Sequence, residues 1–137
     1  MAKGAVFHHS QFPFHDGEIG DKYFVVLNDP ANDEPYVVAK TTSNLRSRTY
    51  TKGCNPKLGV FYISQGTETT FPVDTLIQLL ELYEFSQKYV LEAHLKHKRI
   101  TFRDNLTGVT IAQLINCVRK LKDDISEYHF KLITRKI

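Results

Sequence analysis

The chain has 137 residues, of which 42% are apolar, enough for one domain with a real core. No apolar run approaches the roughly 18 residues a membrane span needs, so no membrane association is expected. The formal charge of +3 is too small to name a partner by itself. Cys54 and Cys117 form no CxxC pair and are too few for a disulfide framework, so both are read as free thiols, with Cys117 a core residue.

The opening MAKGAVFHHSQF carries histidines where a signal peptide has its apolar centre, which predicts a cytoplasmic protein. Ala5 to His9 reads as a first strand. Gln11-Phe12-Pro13-Phe14 then turns the chain, and Asp16-Gly17 makes a tight turn. Lys22 to Asn28 follows, with five consecutive aromatic or aliphatic residues, Tyr23 to Leu27. That composition predicts a strand covered on both faces, with Lys22 at its mouth. Asn28 to Asp33 is loop chemistry. Tyr36 to Thr41 is the third strand.

The segment 42–57 reads as one long loop, and its length suggests a functional one. From Asp16 to Glu34 the charges are Asp16, Glu18, Asp21, Asp29, Asp33 and Glu34 against Lys22 alone. From Pro35 to Thr67 they are all positive: Lys40, Arg46, Arg48, Lys52 and Lys57. Such a basic loop is either a phosphate-backbone contact or simply a solvated surface. Leu58 to Ser64 is a fourth strand, and Asp74 to Leu80 is read as the last. Ser86 caps a short helix through about Leu95. Ile111, Leu114, Ile115, Val118 and Leu121 share one face of an amphipathic helix. Asp124 and Glu127 have capping-box spacing before a final short helix. Strands followed by helices predict an α+β fold, mainly β, with a small curled, barrel-like sheet.

The six histidines are scattered. His94 and His97 lack the further convergent ligands that zinc needs, so no metal is expected. His8 and His9, near the turn before Lys22, are either general acid–base groups or edge-strand surface histidines. Thr41-Thr42-Ser43-Asn44 offers hydroxyls to phosphate oxygens, or merely satisfies its own strand end. Cys54 sits in a basic loop, which lowers a thiol pKa, but the sequence places no histidine beside it. Motifs for nucleoside triphosphates, dinucleotides and serine hydrolases do not occur, and no cofactor is expected.

Taken in order, GAVFHHSQFPFHDGEIGDKYFVVLN, YVVAKTTSN, FPVDTLIQLLELYEFSQKYVL and the stretch from Leu106 to Lys120 resemble the PemK/MazF family of toxin-type endoribonucleases. The resemblance spans most of the chain and implies one domain, 1–137. It implies an SH3-like β-barrel of about five to seven short strands with C-terminal helices. It also implies a homodimer, an antitoxin partner, and metal-independent cleavage of single-stranded RNA. The family's catalytic arginine falls on Lys22, with Tyr23 where proline would be. Lysine keeps the charge but lacks the planar fork. Thr42 falls on the family's catalytic hydroxyl, with Ser43 beside it. The implied assignments are charge stabilisation by Lys22, phosphate binding by Thr42 and proton transfer by His8 or His9. Arg46, Arg48, Lys52 and Lys40 would guide RNA, and Phe14 or Phe12 could stack a base. A binding module that cuts nothing, and a purely structural protein, are the alternatives.

Overall fold

The computed structural model describes residues 1–13 and 19–135. Within them the fold is α+β, mainly antiparallel sheet. The strands are β1 (Ala5–Pro13), β2 (Ile19–Val26), β3 (Tyr36–Thr42), β4 (Gly53–Asn55), β5 (Val60–Ile63), β6 (Thr75–Phe85) and β7 (Ile100–Asn105). The helices are α1 (Gln87–Leu95), α2 (Gly108–Lys120) and α3 (Glu127–Thr134). All seven described strands join one sheet in the order β4-β5-β6-β3-β2-β1-β7. No helix among the described residues is long and apolar enough to cross a membrane.

The apolar run in β2 is covered on both faces, as its composition requires. Phe24, Val25, Val26 and Leu27 are fully buried. The period-2 alternation of a strand sends Val25 and Leu27 to one side and Phe24 and Val26 to the other. The first side packs on α2 and α3 through Leu114, Val118, Leu121, Leu132 and Ile133. The second is an aromatic layer of Phe7, Phe12, Phe24 and Phe85, closed by Val90 and Ala93 of α1. Asn28 ends the run. It is fully buried, and its side-chain amide pairs with Val37 N at 2.8 Å and Pro35 O at 3.0 Å. The amide thus replaces lost ladder bonds.

The helices are capped locally. Ser86 Oγ accepts from Tyr89 N at 3.0 Å, as its position before α1 predicts. The first turn of α2 has no acidic residue of its own. Glu68, buried in the loop before β6, supplies the negative charge instead, accepting from Thr107 N at 2.6 Å and Thr107 Oγ1 at 2.9 Å. That carboxylate ties the 64–74 loop to the helix. Gly4 has φ +92°, and a side chain there would collide with Ile111 of α2.

Several expectations are corrected. The residues 11–13 continue β1 after a bulge at Gln11, whose φ is +57°, rather than turning the chain. Residues 42–57 are not one loop, because Gly53–Asn55 pairs with β5 as an edge strand. The strand starting near Asp74 runs on to Phe85, and it is not the last. β7 follows α1 and pairs with β1. Asp124 falls in a short 3-10 turn, and Ser126 is the cap of α3, accepting from His129 N at 3.1 Å. The cysteines are not free. Cys54 on β4 and Cys117 on α2 form a disulfide with Cα atoms 5.3 Å apart. Only as part of a strand paired to β5 is Cys54 carried up to the helix.

Candidate functional site

The β2–β3 pairing brings Lys22 to the end of β3. Its Nζ donates to the Thr41 carbonyl at 3.2 Å, while Thr41 Oγ1 donates to Tyr23 O at 3.0 Å. Burial first, and the Lys40 charge second, pull the Lys22 ammonium below the ordinary lysine pKa. Lys22, Thr42 and Ser43 line one cleft of about 360 Å³, with Asp21, Tyr23 and Arg103 also on its walls. Thr42 Oγ1 accepts from Asn44 N at 3.1 Å, which uses one lone pair. Its hydroxyl hydrogen is still available to donate. The far wall is Thr70 to Val73, part of the loop that Glu68 fastens to α2.

A second depression, about 250 Å³, shares Thr42 and Asn44 with the first and is lined by Arg46, Arg48 and Tyr50. Arg46 and Ser47 have φ of +52° and +57°, and Asn44 Oδ1 accepts from Arg46 N at 3.0 Å. The side-chain amide supports a backbone conformation that is costly for non-glycine residues. Arg46 and Arg48 therefore adjoin the Lys22 cleft.

The other candidates lie elsewhere. Lys40 sits over the Tyr83 ring, 5.9 Å from its centroid. Lys52 lines a different cavity, about 470 Å³, with the Cys54–Cys117 disulfide, Asn116 and Lys120. Phe12 is in the aromatic core, 5.0 Å from the Phe24 ring. Phe14 lies outside the described residues, as do Asp16 and Glu18.

His8 and His9 are mid-strand rather than at a strand end, so alternation separates them. His8 does not itself line the cleft but touches two residues that do, Asp21 and Tyr23. Its Nε2 is 3.7 Å from Asp21 Oδ2, and its ring is 5.1 Å from that of Tyr23. His9 points into the aromatic layer and is 1% exposed. Its Nδ1 donates to Ser10 O at 2.7 Å, and its Nε2 accepts from the Tyr89 hydroxyl at 2.8 Å. Both nitrogens suit one neutral tautomer. No family model matches the chain, and neither does any curated protein.

Burial first, then the Arg99 and His8 charges, lower the His9 pKa below its ordinary 6.5, against the opposing Ser10 carbonyl. Below the ordinary value the unfolded chain binds the proton that the folded chain refuses. The stability that neutral His9 contributes is therefore present above about pH 6.5 and lost as pH falls toward its folded pKa. Urea midpoints measured at pH 7.5 and 5.5 should be lower at the acid value, with the difference narrowed in His9→Gln.

No sequence pattern marks Arg103. Its strand buries only Ile100, so alternation is absent. The β-branched and aromatic run Ile100-Thr101-Phe102 is the available signal for a strand there.

Proposed function

We propose that this protein binds single-stranded RNA across the Lys22–Thr42 cleft and cleaves it without a metal. The observation carrying the reading is that Lys22, Thr42 and Ser43, drawn from β2 and the end of β3, line one cleft, and that Arg46 and Arg48 adjoin it. A cation, hydroxyl donors and a flanking basic depression are what a phosphodiester backbone needs. The resemblance to the PemK/MazF family supports the same reading. With it comes the finer fold, a sheet curled toward an SH3-like barrel by the register shifts in β1 and β3.

In the proposed reaction the substrate's 2′-oxygen attacks the adjacent phosphorus and gives up its proton. The bond from phosphorus to the 5′-oxygen breaks, and that oxygen takes a proton. The products are a 2′,3′-cyclic phosphate and a 5′-hydroxyl. Lys22 stabilises charge growing on the phosphoryl oxygens, and Thr42 donates to one of them. His8, held beside Asp21, is the proton-transfer group, because both His9 nitrogens are engaged in the core. Incubating mixed-sequence RNA with the protein in EDTA tests the reading, and intact RNA would reject it. RNA retained but uncut would favour the second reading, a catalytically inactive RNA-binding module. The missing guanidinium at position 22 is the observation on its side.

The reading also includes a cytoplasmic location, a toxin role with an antitoxin partner, and a homodimer. For the last, an apolar cavity of about 640 Å³ between α1 and β7 is lined by Met1, Val90, Leu91 and Phe102. Leu91 and Phe102 are 58% and 45% exposed there. A second copy covering this patch would remove that surface from water. Sedimentation equilibrium at tens of micromolar should give twice the 15.8 kDa chain mass. A species of 15.8 kDa alone would remove the dimer from the reading.

A further inference from the structure

The cleft continues past Lys22 on the side away from the basic loop. A third depression, about 280 Å³, shares Thr70 and Arg103 with it and adds Thr69, Phe102 and Asp104. Arg103 is exposed, and its Cζ lies 5.8 Å from the centre of the Tyr23 ring. That contact holds the guanidinium over the cleft wall, and among the described residues its donors make no hydrogen bond. Thr70 Oγ1 is buried without a hydrogen-bond partner among the described residues. An orphaned hydroxyl of this kind calls for an explanation, and Thr70 lines both depressions.

The geometry points to a second phosphate subsite, formed by Arg103 and Thr70, for the nucleotide neighbouring the one at Lys22. The inference rests on the single-stranded RNA reading and extends it. Cations then flank the cleft on both sides, Arg46 and Arg48 at one end and Arg103 at the other. The planar fork that Lys22 lacks is supplied from β7, where it meets a flanking phosphate through two parallel donors.

The test uses an uncleavable probe, a 2′-O-methyl RNA oligonucleotide, and fluorescence anisotropy at several salt concentrations. Arg103→Ala should weaken binding about tenfold. It should also lower the slope of log affinity against log salt by about 0.7, the share of one single-strand phosphate contact. Arg103→Lys should keep the slope and lose part of the affinity, because it keeps the charge and loses the fork. Thr70→Val should weaken binding with no change in slope. Unchanged melting temperatures in these variants exclude misfolding. Wild-type affinity and slope in Arg103→Ala would overturn the subsite even if the wild-type protein cleaves RNA. Binding that depends on Arg103, by a wild-type protein that cleaves nothing, would sustain the subsite and reject the nuclease. No wild-type binding at low salt would overturn both.

Discussion

Lys22→Ala is expected to lower RNA cleavage by about two to three powers of ten, the usual effect of removing one donor aimed at developing transition-state charge. Folding should survive almost unchanged. The substitution removes the hydrogen bond from Nζ to the Thr41 carbonyl at 3.2 Å, worth on the order of 1 kcal/mol. Lys22→Arg is the sharper comparison, since it supplies the planar fork that lysine lacks. It should keep or raise the rate, because a second guanidinium N–H can reach a second phosphoryl oxygen. Single-turnover cleavage rates for the three proteins check this. Wild-type cleavage by Lys22→Ala would remove Lys22 from the reaction and move the chemistry to Thr42 and His8.

Loss of the disulfide should be the largest stability change. Cys54 and Cys117 are 63 residues apart, and closing a loop of that size is worth about 4 kcal/mol in the chain-entropy description. The relevant substitution is Cys54→Ser, because Cys54 is half-buried whereas Cys117 is fully buried in the core. A serine at 117 would add the cost of burying a hydroxyl. Guanidinium unfolding should show Cys54→Ser and reduced wild type alike, each about 2–4 kcal/mol below the oxidised protein. Identical curves for oxidised and reduced wild type would mean that the bond does not form. Disulfides are uncommon in reducing compartments. The bond thus sits against the expectation of a cytoplasmic protein.

Legibility in the sequence follows how strongly each segment is buried. Phe24 to Leu27 can be read because a stretch covered on both faces must be continuously apolar, whereas Tyr23, read as part of the same run, is exposed. Helix α2 can be read because Leu114, Ile115, Val118 and Leu121 are all buried at helical spacing. Edge strands carry neither signal. In β4 no residue is fully buried, and in β7 one is, so neither stands out from its flanking loops. Without β4 the disulfide is invisible, and without β7 so is Arg103. The adjacent histidines mislead for a different reason. Period-2 alternation makes it certain that His8 and His9 diverge once both are mid-strand, but the bulge at Gln11 that extends β1 leaves no local mark. Lys22, Thr42 and Ser43 do converge, because the pairing of β2 with β3 follows from their shared apolar pattern.

The central claim is that the Lys22–Thr42 cleft directs the substrate's own 2′-oxygen at phosphorus. Mass spectrometry of the ends left on a short RNA, after incubation in EDTA, tests it most directly. A 2′,3′-cyclic phosphate on one fragment and a 5′-hydroxyl on the other, both lost with Lys22→Ala, is the predicted result. A 5′-phosphate with a 3′-hydroxyl would show that water or another nucleophile attacks instead, and would contradict the account.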